Sequence, residues 1–210
     1  VEIQRRREKA RLAVEAQVLH MIFKGNPGTG KTTVARILGK LFNQLGVLSE
    51  GHMVEVERAD LVGEYIGHTA QKTKEKIKSA IGGILFIDEA YSLARGGDKD
   101  FGKEAIDTLV KGMEDNKDKF IVILAGYQLE MDQFINSNPG IRSRFPICID
   151  FPNYSLEELI NIADLMLEER QYYLDRAARE EMKLIVELQT KQHLHSGNAR
   201  LVRNLVERSI

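Results

Sequence analysis

Short apolar runs alternate along the chain with longer stretches in which apolar residues return every three or four positions. The runs Val18 to Phe23, Met53 to Val56, Ile84 to Ile87, Phe120 to Ala125 and Ile147 to Ile149 are strand-sized. Between them, sets such as Ala105, Ile106, Leu109, Val110 and Met113 place one apolar stripe on a helix. Repeated strand and helix units of this kind predict an α/β fold on a mostly parallel sheet of about five strands. The pattern changes after Phe151 and Pro152, where strand-like runs stop and Ser155 with Glu158 forms a capping box. Helices are expected from there to about Leu174, from about Ala177 to Gln192, and over Asn198 to Ser209 after a break at Ser196-Gly197. The organisation expected is an α/β domain over residues 1–151 and a smaller helical domain over 152–210. Residues 1–17 mix Arg5, Arg6, Arg7, Lys9 and Arg11 with Ile3, Leu12, Val14 and Ala16, which reads as a helix with one solvated face.

Composition narrows the class. The 210 residues are 43% hydrophobic, enough for one sizeable core or two modest ones. Lys and Arg number 30 against 31 Asp and Glu, so the formal net charge is −1 and no general pull toward nucleic acid or an anionic membrane is built in. The stretch Ile81 to Ile87, broken by Gly82 and Gly83, falls far short of the roughly 20 apolar residues that span a bilayer. Cys148 is the single cysteine of the sequence, so no internal disulfide is expected, and no apolar signal segment is visible, which fits a reducing cytoplasm. Neither a nucleic-acid partner nor a membrane is expected.

The chemistry begins at Gly25-Asn26-Pro27-Gly28-Thr29-Gly30-Lys31-Thr32-Thr33, which satisfies the G-x-x-x-x-G-K-[ST] rule. A strand runs into this loop and an amphipathic helix, Thr33 to Phe42, leaves it, so backbone N–H groups and a helix N-terminus converge where an anion is favoured. The glycines let the backbone wrap phosphate oxygens, Lys31 carries positive charge toward the β and γ phosphates, and Thr32 offers a hydroxyl to Mg²⁺. The second signal is Asp88-Glu89, released by Ile84 to Ile87 at the C-terminal end of a buried strand, where ligands of parallel sheets bind. Asp88 is the expected Mg²⁺ partner and Glu89 the group that polarises the attacking water. The cofactors expected are ATP and Mg²⁺. His193 and His195 have no companion ligands and suggest a solvated helix end.

Together these motifs resemble the AAA+ superfamily. The wording of the phosphate loop with Phe86-Ile87-Asp88-Glu89-Ala90-Tyr91-Ser92-Leu93 is similar to the CbxX/CfxQ family, within it to a branch tied to spore formation. Leu124-Ala125-Gly126-Tyr127, Ser137-Asn138-Pro139-Gly140-Ile141-Arg142-Ser143-Arg144-Phe145 and Gly197-Asn198-Ala199-Arg200 also match that family, so the resemblance covers nearly the whole chain. It implies an AAA+ P-loop fold with a helical lid, and an ATP-hydrolysing homo-oligomer, a hexameric ring, that remodels or threads a protein client. Arg144 then matches the arginine finger that reaches a neighbouring subunit's γ-phosphate, with Arg142 as second candidate, and Arg200 matches the nucleotide-sensing lid arginine. Tyr65-Ile66-Gly67 fits the aromatic, hydrophobic, glycine loop that grips a polypeptide in the pore; Gly96 to Gly102 is the candidate second pore loop. Two departures stand out: Ala125-Gly126-Tyr127 occupies the place where many AAA+ proteins carry a water-orienting asparagine, with the Tyr127 hydroxyl as candidate substitute, and the domain looks trimmed at both ends.

Rival readings share parts of this set. Asp60-Leu61-Val62-Gly63 has the form of a GTPase switch, but Asn116-Lys117-Asp118-Lys119 does not meet the guanine-specifying N-K-x-D pattern. A small-molecule kinase has no need of Glu89, Arg144 and an arginine-bearing lid together. A DNA-acting AAA+ ATPase shares the motor and the Ser-Arg-Phe string, yet this sequence shows no basic appendage outside the first helix. A low-turnover ATP-binding switch or scaffold remains an alternative, motivated by the missing asparagine.

Overall fold

The structure, a computed structural model, describes residues 18–65, 67–95, 100–192 and 197–209. The helix expected over residues 1–17, Ile66, Gly96 to Lys99, His193 and His195 lie outside the described residues.

Two compact units are present. One comprises the described residues up to Lys24 together with Thr32–Ile149; the other comprises Gly25–Lys31 and the residues from Asp150 onward. The sheet has five strands, β1 (Met21–Gly25), β2 (Met53–Val56), β3 (Ile84–Ile87), β4 (Ile121–Gly126) and β5 (Ile147–Phe151), in the order β2-β3-β4-β1-β5. β1 pairs with β4, and β3 with both β2 and β4, all in parallel. The register sets Ile87 opposite Leu124 and Lys24 opposite Gly126, so β1, β3 and β4 release their chains at one edge of the sheet. β3 and β4 are buried along their whole length, which is why they read as unbroken apolar runs rather than alternating ones.

Helices α1 (Lys31–Gln44), α2 (Arg58–Leu61), α3 (His68–Ser79), α4 (Gly102–Asp115), α5 (Gln128–Ser137) and α6 (Pro139–Arg142) fill the connections, with a 3-10 turn over Ala90–Ala94. Ile77, Ala105, Ile106, Leu109 and Met113 join Leu85, Ile87, Val122 and Leu124 in one core. Three helices follow β5: α7 (Leu156–Glu168), α8 (Arg176–Gln192) and α9 (Asn198–Ser209). Their core is separate, formed by Leu159, Ile160, Ala163, Leu167, Met182, Val186, Val202 and Val206. The capping box that opens α7 is present: the Glu158 amide donates to Ser155 Oγ at 3.3 Å, and the Ser155 amide to Glu158 Oε2 at 2.7 Å.

The observed elements depart from the expected ones at two ends. β1 starts at Met21 rather than Val18, because the Val122 amide donates to His20 Nδ1 at 3.0 Å and a side chain thus takes the place of a further ladder bond. α7 stops at Glu168 rather than near Leu174, since Gln171 turns to a left-handed φ of +64° and the Tyr172 amide reaches back to Leu167 O at 2.9 Å. No glycine marks that stop, so composition does not announce it.

Candidate active site

The phosphate loop takes its shape from β1 behind it and α1 in front. Gly28 and Gly30 hold φ of +73° and +91°, a region that side chains avoid. Lys31 folds over the loop, its ammonium donating to Gly25 O and Asn26 O at 2.8 Å each, while Thr29 Oγ1 donates to Asn26 O at 2.8 Å. Thr32 and Thr33 stand in the first turn of α1, where unpaired N–H groups and the helix dipole favour an anion. The first turn of α9 lies on the same loop: the Ala199 amide donates to Gly28 O at 3.1 Å, and a Cβ on Gly28 would come within 3.0 Å of the Arg200 nitrogen. Gly28 and Arg200, far apart in sequence, are thereby brought together, and the Arg200 side chain is exposed.

At the end of β3, the Asp88 amide donates to Val56 O at 3.0 Å, and Asp88 Oδ1 accepts from the Glu89 amide at 3.0 Å. Glu89 is exposed and holds φ +46°, a strained torsion for a residue with a side chain, which costs on the order of 1 kcal/mol. Burial, followed by the nearby Glu89 carboxylate, pushes the Tyr91 hydroxyl well above its ordinary range, so Tyr91 stays a neutral donor beside Glu89. The missing asparagine has a steric counterpart here. A Cβ at Gly126 would approach the Tyr91 ring to 2.7 Å, and the Tyr91 and Tyr127 rings sit 6.0 Å apart, so an aromatic pair fills the space at the end of β4.

Arg144 is engaged within its own chain. Its guanidinium donates to the Glu114 carboxylate on α4, to Gly140 O at 2.8 Å and to Ser143 Oγ at 3.3 Å. The bond from Arg144 holds the Glu114 carboxyl below its ordinary range. Arg142 ends α6 and is exposed. Tyr65 is 66% exposed, with its ring edge-on to His68 at 5.5 Å. Asp60, the first residue of the GTPase-like string, instead caps α2: it accepts from the Glu57 amide and from Lys76 at 3.0 Å each, and those two donors hold its carboxyl below the ordinary range.

The donor set fits a nucleotide with its magnesium ion. Gly28 and Gly30 leave a cradle that a Cβ would disturb, and a hydroxyl at Thr32 with a carboxylate at Asp88 is the sparse protein contribution that Mg²⁺ takes beside phosphates. Among the described residues, no group of three or more His, Cys, Asp or Glu side chains forms a metal cage of its own. Sequence reasoning gave no role to Tyr91 and Asn198, which entered as members of family-like strings, and did not reach Asn153 or Tyr154. Asn198 stood out as the start of a helix after a glycine and as a neighbour of Arg200 in a family-like string, and neither signal points to the loop.

A parallel sheet with a phosphate loop after β1 and an acidic pair after β3 defines a P-loop nucleotide hydrolase, and residues 21–153 match the ATPase family associated with various cellular activities (AAA). Residues 155–210 match the AAA lid domain, so the chain belongs to the AAA ATPase family. It is 60% identical over 99% of its length to Stage V sporulation protein K of Bacillus subtilis (strain 168), and 50% identical over 99% to Protein CbbX of Cereibacter sphaeroides. Protein CbxX of Cupriavidus necator is 53% identical over 92% of the chain, in keeping with the CbxX/CfxQ resemblance. The chain spans 65%, 67% and 61% of the lengths of these relatives. Among solved structures, the AAA domain of FIGL-1 in complex with ADP superposes with a TM-score of 0.58 at 17% identity, covering 87% of this chain and 60% of that one, a likeness of fold. Among the described residues, no helix is long and apolar enough to cross a membrane.

Proposed function

We propose that the chain is the motor domain of a cytoplasmic, ring-forming ATPase that hydrolyses Mg·ATP and uses the cycle to remodel or thread a protein client. The observation that carries the reading is the phosphate loop with its lysine folded over it, together with Glu89 at a left-handed backbone torsion after β3. ATP would rest on the N–H groups of the loop and the first turn of α1, with Lys31 countering phosphate charge. Thr32 and Asp88 would hold Mg²⁺, which when bound neutralises charge on the phosphoryl oxygens. Glu89 would polarise the attacking water, and the Tyr91 hydroxyl beside it would limit how that carboxylate swings. Arg200 is the group of the helical unit that reads nucleotide state.

Arg144 as a finger supplied in trans is supported by its contacts, since on its own chain it meets Glu114 and Gly140 rather than Asp88 or Glu89. An arginine that completes a site from the next subunit accelerates phosphoryl transfer by about 10³ to 10⁵. The exposed Tyr65 is the candidate grip on a client, with Ile66 and Gly67. The sporulation protein of Bacillus subtilis and the Rubisco activase of Cyanidioschyzon merolae, 46% identical over 99% of the chain, suggest two kinds of setting, of which we favour spore formation for its higher identity.

The test is ATPase rate against concentration of the full-length protein, beside Glu89→Gln and Arg144→Ala. A cooperative rise abolished by both substitutions is expected. A rate per subunit independent of concentration and indifferent to Arg144→Ala would mean that each subunit works alone, and threading would fall with the ring. A second reading, a low-turnover switch, draws on the aromatic filling at Gly126; turnover well above background would remove it.

A further inference from the structure

The polar groups of the phosphate loop divide by type. Three consecutive carbonyls are taken by the helical unit: Asn198 Nδ2 donates to Pro27 O at 3.2 Å, the Ala199 amide to Gly28 O at 3.1 Å, and Tyr154 Oη to Thr29 O at 3.1 Å. In a trans peptide the C=O of one residue and the N–H of the next point in opposite directions. Anchoring the carbonyls of Pro27, Gly28 and Thr29 therefore turns the N–H groups of Gly28, Thr29 and Gly30 away from Asn198, Ala199 and Tyr154 respectively, and those N–H groups are what a phosphate needs.

Asn198 is built for this task. It is only 1% exposed, and it holds φ +45° despite its side chain, a torsion that asparagine tolerates better than most residues. Besides Pro27 O, its amide donates to Asn153 Oδ1 at 3.2 Å and accepts from the Tyr154 amide at 3.1 Å. Asn153 Oδ1 also receives Asn26 Nδ2 at 2.8 Å, so the network meets the loop again at its first variable position. The Asn198 amide thus donates to the loop at Pro27 O and to Asn153, while its oxygen accepts from the Tyr154 amide, so one side chain ties the start of α9 to both segments.

We propose that Asn198 is a positioning residue of the phosphate site: with Tyr154 and the Ala199 amide it orients the peptide planes whose N–H groups receive phosphate, so that the loop and α9 answer nucleotide as one element. Arg200 then needs no separate messenger, because the turn that carries it is bonded to the loop. The inference rests on the nucleotide reading above and adds to it the route by which the helical unit feels the phosphates.

The experiment uses the full-length protein, a fluorescent ADP analogue with Mg²⁺, and hydrogen exchange over residues 198–202 with and without ADP. Asn198→Gly removes the side chain yet accepts the left-handed backbone; Tyr154→Phe removes one hydroxyl and leaves the ring in place. Asn198→Gly is expected to weaken ADP binding about tenfold and Tyr154→Phe about threefold, the size of one or two lost hydrogen bonds. Both losses should persist in an Arg200→Ala background, and ADP should slow exchange over residues 198–202 in the wild type but not in Asn198→Gly. Unchanged affinity in both variants, or losses that vanish once Arg200 is gone, would overturn the proposal. If Asn198→Gly does not fold, Tyr154→Phe in both backgrounds decides alone. Equal binding by wild type and Lys31→Ala would overturn the nucleotide reading itself, whereas binding lost in Lys31→Ala but kept in Asn198→Gly and Tyr154→Phe overturns only the positioning role.

Discussion

Gly28 and Gly67 adopt nearly the same left-handed backbone, φ +73° and +83°, in loops of opposite character. A Cβ at Gly28 would stand 2.1 Å from Gly197 O, while a Cβ at Gly67 would meet nothing within 4 Å. In the phosphate loop, glycine answers two demands at once, a torsion and a close approach by another part of the chain. Next to Tyr65 it answers the torsion alone. The first loop is shaped by close approach from Gly197 as well as by its own torsions; at the second, the described residues leave open space beside Gly67 and Tyr65 is exposed.

The largest effect expected is that of Gly28→Ala. The added methyl must displace backbone rather than a flexible side chain, in a torsion it disfavours, at a cost of about 3 to 5 kcal/mol. Urea unfolding should show that loss, and binding of a fluorescent ADP analogue should disappear; a Gly28→Ala protein that binds normally would break the contrast with Gly67.

Next in size is an acid effect at His20, which holds the start of β1 without any glycine. Burial lowers its pKa from 6.5 to about 4, and the neutral ring accepts the Val122 amide between Phe120 and Phe145. The unfolded chain therefore takes up the proton first as pH falls. Stability is complete above about pH 6.5 and declines toward pH 4, by at most ~3 kcal/mol. Urea midpoints across that window test it, and His20→Asn should flatten the decline.

Gly126→Ala separates close approach from torsion, because Gly126 has no left-handed φ yet a Cβ there would meet the Tyr91 ring at 2.7 Å. A ring can yield where backbone cannot, so the expected cost is about 1 to 2 kcal/mol. ATP turnover should fall more than ATP affinity, since Tyr91 stands beside Glu89. The smallest effect is Gly67→Ala, about 1 kcal/mol from torsion alone, with Gly67→Asn closer to neutral. Thermal unfolding of the two variants beside wild type measures this; a cost at Gly67 equal to that at Gly28 would mean that something covers the Tyr65 loop.

Much of the fold was legible because its signals are local. Met53–Val56 and Ile84–Ile87 are strands residue for residue as expected, since a buried parallel strand writes itself as an unbroken apolar run. The α9 boundaries and the Ser155 cap followed from equally short patterns. What misled or stayed silent involved partners distant in sequence. Val18 and Leu19 look like strand residues, yet the ladder is relieved by His20, 102 positions from the Val122 amide it accepts. Asp60-Leu61-Val62-Gly63 looks like a switch, and Asp60 is a helix cap tied to Lys76.

The sequence by itself determined the class of chemistry. A glycine-rich loop between a strand and a helix, with two carboxylates at the end of a second buried strand, needs only short-range spacing to present N–H groups, a lysine, a hydroxyl and an acid. Tertiary structure decided how the loop is held. The partners of the Pro27, Gly28 and Thr29 carbonyls lie as far as 171 residues away, and Arg144 meets Glu114 across 30. A backbone carbonyl carries no mark in the sequence of what will bind it, so whether its N–H neighbour faces a ligand is settled only when the chain has folded around it.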